Sequence, residues 1–179
     1  MGAMRLRLIT AARTAPNNLL TFDAANTPLD GRGRTDACRL AGSAMGRCVC
    51  GPELSARQTA EAAGLRALVD ADVAGMDFGQ WRTVTPADVD PGALRLSMTD
   101  PTFDGHGGES VVALVARMRE WLSQQLHRDE TVTAVVTGPA AQAIIAAAFD
   151  DPARFFAVEI APAAVIDLSY RRHWRLLLR

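Results

Sequence analysis

Lysine is absent from this chain. All 19 of its basic residues are arginine, a bias that, with the abundance of alanine, reflects a GC-rich genome rather than a function. Charge of one sign is not in excess either. The formal net charge is −1, so no global field draws the chain to nucleic acid or to an acidic membrane surface. Cysteine is scarce, and Cys38, Cys48 and Cys50 form an odd count without metal-like spacing. Cys48 and Cys50 sit in an apolar strand-like run and make a poor disulfide pair. A reducing cytoplasm is the location that fits. No run of about 18 apolar residues occurs and no signal-type segment is present, so neither a membrane span nor export by an obvious route is expected. A metal-ligand cluster, a Ser/His/Asp series and a glycine-rich dinucleotide fingerprint are missing too, so no metal and no cofactor is expected.

What the chain does have is enough apolar residues for one core. With 179 residues and 49% hydrophobic content, it suits a single domain over 1–179 that buries about 70% of its unfolded surface. Strand and helix signals alternate, which argues for an α/β sandwich with a mostly parallel central sheet, helices on both faces and a late antiparallel strand. Strands are expected at 4–10, 47–50 and 131–136, and in the tail at 157–160, 165–170 and 174–178. Helices are expected from Asp30 to about Ala44, from Glu53 to about Val69, over 108–126 with Val111, Val115, Met118 and Leu122 on one side, and over 140–149. The stretch 75–107, rich in Pro, Gly and Asp, reads as an irregular excursion over the sheet edge.

Several segments carry a family resemblance in order along the chain. Pro28-Leu29-Asp30-Gly31-Arg32-Gly33-Arg34-Thr35-Asp36-Ala37 is similar to a Pro-Leu-x-x-x-Gly-x-x-Gln-Ala helix start. Gly51-Pro52-Glu53-Leu54-Ser55-Ala56-Arg57-Gln58-Thr59-Ala60 resembles Ser-Pro-Leu-x-Arg-Ala-x-Gln-Thr-Ala. Asp77-Phe78-Gly79-Gln80-Trp81 matches Asp-Phe-Gly-x-Trp, and Gly107-Gly108-Glu109-Ser110 matches Gly-Gly-Glu-Ser. Val135-Val136-Thr137-Gly138 falls where Val-Val-Ser-His is expected, and Leu168-Ser169-Tyr170 with Trp174-Arg175-Leu176-Leu177 resembles two closing strands. These are segments of the histidine phosphatase (phosphoglycerate mutase-like) superfamily, which the chain resembles over nearly its whole length.

The same resemblance marks what this member would lack. The family's opening Leu-x-x-Arg-His-Gly-x-Thr-x-x-Asn places its Arg-His-Gly on Thr10-Ala11-Ala12, while Thr14 and Asn17 still match. The nucleophilic histidine thus falls on Ala11, and a methyl group has no lone pair to attack phosphorus. The second phosphate-binding arginine falls on Ser55, the acid glutamate on Gly75 and the second histidine on Gly138. Arg57 is two residues further along its helix, about 200° round the axis, and cannot substitute. Charge-assisted hydrogen bonds contribute about 1.5–3 kcal/mol each, so losing several would abolish tight phosphate binding at that spot. Losing all of them together leaves no stranded buried charge.

The expectation is therefore a degenerate family member, a pseudoenzyme with a more neutral hollow. Its ligand-pocket candidates are Thr10, Ala11, Arg13, Asn17, Ser55, Gly75, Thr137 and Gly138. His106 is the first choice for a proton-transfer group with Asp104 as its orienter, against the plainer reading of a solvated loop histidine. Cys50 ends a strand before a helix, where a thiolate would be favoured, or else is a small buried hydrophobe. Arg13 has a surface role as its alternative, and Thr14 and Asn17 a turn-capping one. His127 and His173 read as surface groups, Phe78 and Trp81 as packing residues, and Trp121 as facing either a partner subunit or the sheet. Three functions remain open: a binding or regulatory module, an enzyme with a repurposed pocket for a small, neutral or weakly anionic metabolite, and a phosphatase or mutase that the alignment misjudges. The expected partner is a small molecule or a protein, with no nucleic acid and no membrane. A homodimer is an implication of the resemblance alone.

Overall fold

The first strand, β1 (Met4–Thr10), shows how the sheet is buried on both sides. Leu6 and Leu8 join one apolar cluster and Ile9 joins another, because successive strand side chains point to opposite faces. The structure, a computed structural model, describes residues 4–14, 22, 26–128 and 130–177. β2 (Arg47–Cys50), β3 (Leu68–Val69), β4 (Val132–Val136), β5 (Val165–Tyr170) and β6 (Trp174–Leu177) complete a six-stranded sheet in the order β3-β2-β4-β1-β5-β6. The β3-β2, β2-β4 and β4-β1 pairings are parallel, whereas β5 runs antiparallel to both β1 and β6. This is the α/β sandwich with a mostly parallel sheet and a late antiparallel strand.

Two helical layers cover the sheet. On one face α4 (Val111–Arg128) and α5 (Gly138–Ala148) bury Val111, Leu114, Val115, Met118, Ile144 and Ile145 against Leu6, Leu8 and Val136. Apolar residues at three- and four-residue steps give α4 that buried stripe. On the other face α2 (Leu54–Ala62) sets Ala56 and Ala60 on Ile9, Cys50 and Val135, with α1 (Gly31–Cys38) packed beside it. Small alanines let α2 approach the sheet closely. Among the described residues, no helix is long and apolar enough to cross a membrane.

Several boundaries differ from the sequence expectation, each for a local reason. α1 starts after Asp30, whose carboxylate accepts from Gly33 N at 2.6 Å, and it ends at Cys38 rather than Ala44. The chain beyond it turns, and Gly42 adopts φ +75°. α2 stops at Ala62 because Gly64 takes φ +68°, and residues 68–69 leave the expected helix to become the edge strand β3. Left-handed backbone favours glycine and ends helices. The excursion is not wholly irregular: it holds short 3₁₀ turns and a helix, α3 (Pro91–Thr99), capped by Asp90 accepting from Ala93 N at 2.9 Å. The Asp90-Pro91 pair is a helix-start signal set within a stretch whose composition suggests a loop. Residues 157–160 form no strand, since a short helix, α6 (Arg154–Ala157), occupies the start of that stretch. Trp121 faces inward, 1% exposed, with Nε1 donating to Asp70 Oδ2 at 3.0 Å.

Candidate ligand-binding cleft

The carboxyl ends of β1, β2 and β4 meet at one edge of the sheet, where open α/β folds place their ligands. Ala11 N donates to Val136 O at 2.7 Å and Gly51 N to Val135 O at 2.9 Å, so the three strand exits are held side by side. Above them lies a cleft of about 980 Å³. Its floor is Ala11, Pro52, Glu53, Thr137, Gly138 and Pro139. Its roof comes from Ala71, 74–78, Arg82 and 107–109, with Arg117 reaching in from α4.

Four of the sequence candidates are brought together in this cleft: Ala11, Gly75, Thr137 and Gly138. Thr14 also lines it. Thr137 caps α5, its Oγ1 accepting from Ala140 N at 3.4 Å. Asn17 lies outside the described residues.

The remaining candidates are placed elsewhere. Thr10 is buried with its hydroxyl turned to the loop before β5, donating to Ala161 O at 2.7 Å and accepting from Ala164 N at 2.8 Å. Ser55 is buried in the first turn of α2, outside the cleft lining. Arg13 is exposed, stands 3.8 Å from the Asp30 carboxylate, and borders a separate shallow hollow beside α1. Cys50 packs among Ile9, Ala56, Ala60 and Val135. Burial pushes its thiol above the ordinary range and Glu53 adds to that, while Arg57 opposes it. A protonated, enclosed thiol is a poor nucleophile.

His106 is neither solvated nor in the cleft. It is 1% exposed, and its ring stands 5.3 Å from Trp81, 5.7 Å from Phe103 and 6.0 Å from Phe78, edge to face. Phe22 extends this cluster against Phe78 and Trp81. Gly108 N donates to His106 Nδ1 at 3.0 Å, which makes Nδ1 an acceptor and leaves the proton on Nε2. Desolvation lowers the imidazole pKa below 6.5, against the fields of Asp77 and Asp104, which raise it. Asp104 is exposed and makes no hydrogen bond to the ring among the described residues. The structure places the His106 ring in an aromatic core with Phe78, Trp81 and Phe103 that packs the excursion.

The charged groups of the cleft come from positions that sequence reasoning did not single out. Arg117 binds Glu109 at 2.8 and 3.1 Å and also donates to the carbonyls of Asp72, Ala74 and Gly75. Arg82 pairs with Asp77 at 2.8 Å. The Asp77 carboxyl lies below its usual range, chiefly because Gly79 N donates to it and further because of Arg82. Glu53 stands apart from these pairs. It is 9% exposed, its Oε1 accepts from Gly75 N at 2.5 Å, and its Oε2 has no hydrogen-bond partner. A signal for it exists in the sequence, since it is a charged residue where the quoted motif has leucine. Gln58 and Thr59 are legible as motif but not as braces. Gln58 Oε1 accepts from Leu29 N, and Thr59 Oγ1 accepts from Ala12 N, both at 2.9 Å, tying the β1 exit to α2. Among the described residues no three His, Cys, Asp or Glu side chains gather as metal ligands would.

Comparison with known proteins gives the same frame. No curated protein matches the chain. Among solved structures, a mycobacterial glucosyl-3-phosphoglycerate phosphatase is 26% identical with a TM-score of 0.85, covering 98% of this chain and 97% of that one. A protein described as mycobacterial hydrolase 1 is 26% identical with a TM-score of 0.81, covering 99% and 98%. A putative α-ribazole-5′-phosphate phosphatase of Escherichia coli shares the fold at 20% identity and a TM-score of 0.82, covering 99% and 96%. The family model of the histidine phosphatase superfamily, branch 1, matches residues 12–179, and the chain belongs to that superfamily.

Proposed function

We propose that this protein performs no phosphohistidine chemistry and that its cleft serves as a binding or regulatory site for a small molecule. One observation carries the reading: no histidine lines the cleft. The chain has three histidines. His106 is enclosed in the aromatic cluster, His127 bonds Ser123 O at the end of α4, and His173 sits in the β5–β6 turn beside Arg175. At the exit of β1, where the resemblance places the nucleophile, stands Ala11. The two arginines in the cleft are engaged with Glu109 and Asp77, so neither is free to compensate a phosphate dianion. The hydrolysis named for the mycobacterial phosphatase is therefore not carried over to this chain.

A second reading, an enzyme with a repurposed pocket, is favoured by Glu53, a buried carboxylate at the cleft floor that could serve proton transfer. The experiment for the first is direct. Purified protein is expected to release no phosphate from p-nitrophenyl phosphate or phosphoglycerates and to form no acid-labile phosphohistidine. Turnover that disappears when any one cleft residue is exchanged would refute it. Ala11→His alone is expected to stay inactive, since no free guanidinium would then hold the transferring group.

A further inference from the structure

The cleft inverts the charge that a phosphate site needs. Among the described residues, its lining holds three carboxylates, Glu53, Asp77 and Glu109, against two guanidiniums, Arg82 and Arg117. Two of the acids are neutralised within the lining by contacts of 2.8 Å. Glu53 is left with no described cation in contact, and the chain between Thr14 and Asn26, which contributes Phe22 to the lining, includes no basic residue.

The Glu53 carboxylate also has space made for it by the backbone around it. A Cβ on Gly51 would overlap its Oε2, and one on Gly75 would stand 3.2 Å from Oε1 and 2.8 Å from Thr137 Oγ1. Two glycines thus make the room that the carboxylate occupies. Glu53 is the residue before α2, yet it gives that helix no side-chain cap and reaches across to Gly75 N instead. The carboxylate therefore uses one oxygen on the excursion and keeps Oε2 unpartnered, on a residue only 9% exposed, beside a large cleft. A buried charge without a partner is costly, and an opposite charge is what removes the cost.

We infer that the cleft binds a small organic cation, with an ammonium, amidinium or guanidinium group paired to Glu53 and Thr137 Oγ1 as a neighbouring acceptor. This rests on the small-molecule reading above and names its ligand class, replacing the neutral or weakly anionic molecule that the sequence suggested. An anionic ligand would meet the Glu53 charge with both arginines of the described lining already paired.

The test is calorimetric titration of the full chain with benzamidine, putrescine and arginine, and separately with benzamide, the uncharged counterpart of benzamidine, and inorganic phosphate. Expected are binding of at least one cation in the millimolar range or tighter, no binding of phosphate, and at least about tenfold weaker binding of benzamide than of benzamidine. Glu53→Gln, which keeps an oxygen for Gly75 N, should weaken the cation about tenfold or more. Equal binding of benzamide and benzamidine, no binding of any cation, phosphate binding in their place, or unaltered cation binding by a folded Glu53→Gln protein would each overturn the inference. The benzamide comparison needs no variant, so a poorly folding Glu53→Gln leaves the test intact. Phosphatase turnover is measured on the same preparation. If turnover is absent and cations do not bind, the ligand class alone is wrong; if turnover is present, the underlying reading fails.

Discussion

Floor and roof of the cleft are built on opposite plans. On the floor, at the ends of β1 and β4, the side chains of Ala11, Thr137 and Gly138 are small, and Thr137 Oγ1 caps the first turn of α5. The backbone there is fixed by the sheet itself. The roof has no sheet to fix it and uses long side chains instead, with Arg117 gathering Glu109 and three carbonyls, and with His106 inside an aromatic cluster. Where hydrogen-bonded strands supply rigidity, side chains can be lost with little structural consequence. Where they do not, ion pairs and ring packing take over the task. The contrast explains why small side chains suffice at the strand ends and long ones are needed in the roof.

If this contrast is right, substitutions in the roof should cost far more stability than substitutions in the floor. His106→Ala removes a buried ring from the cluster and takes the acceptor from Gly108 N, and denaturant unfolding should show a loss of about 2–4 kcal/mol. Arg117→Ala should cost roughly 2 kcal/mol, read the same way and accompanied by faster proteolysis within 72–109, because one guanidinium serves the Glu109 carboxylate and three carbonyls. A loss no larger than that of a floor variant in either case would break the comparison.

His106 also gives the roof a pH response. Its folded pKa lies below the unfolded value near 6.5, so the unfolded chain binds the proton more tightly. Stability is then full above the unfolded pKa and falls as pH drops below it, until the folded pKa is passed. Unfolding midpoints measured between neutral and mildly acid pH should decline, and His106→Phe should flatten that decline. An unchanged slope in a folded variant would assign the titration elsewhere. On the floor, Ala11→Ser should change stability by no more than about 0.5 kcal/mol, since the position faces open space. The smallest expected effect concerns reactivity rather than stability. Iodoacetamide should modify the exposed Cys38 readily and leave Cys50 nearly untouched at neutral pH, by peptide mass mapping, because Cys50 is enclosed and its thiol is held protonated.

Most of the architecture is legible in the amino-acid sequence. Alternating β-branched and helix-periodic segments place β1, β2, β4, α4 and α5 within a few residues, since apolar periodicity is a local property of the chain. The departures fall where a single residue redirects the backbone. Gly64 ends a helix early and releases β3, and the Asp90-Pro91 start of α3 lies inside a stretch that composition alone marks as loop.

The site divides along a similar line. What the sequence by itself determined at the site is local, because a methyl at Ala11 and a hydrogen at Gly138 carry no donor, acceptor or charge whatever surrounds them. It also placed Gly75 and Thr137 near one another through ordered motifs. Only the tertiary structure decided where polar groups point. Thr10 could as well have faced the cleft, His106 could have stood in solvent beside Asp104, and Glu53 could have capped its own helix. Each outcome depends on partners 22 to 154 residues away in the chain or on rings brought in by the excursion. Side-chain direction and burial are set by such long-range contacts, and it is they that leave one carboxylate oxygen of Glu53 without a partner.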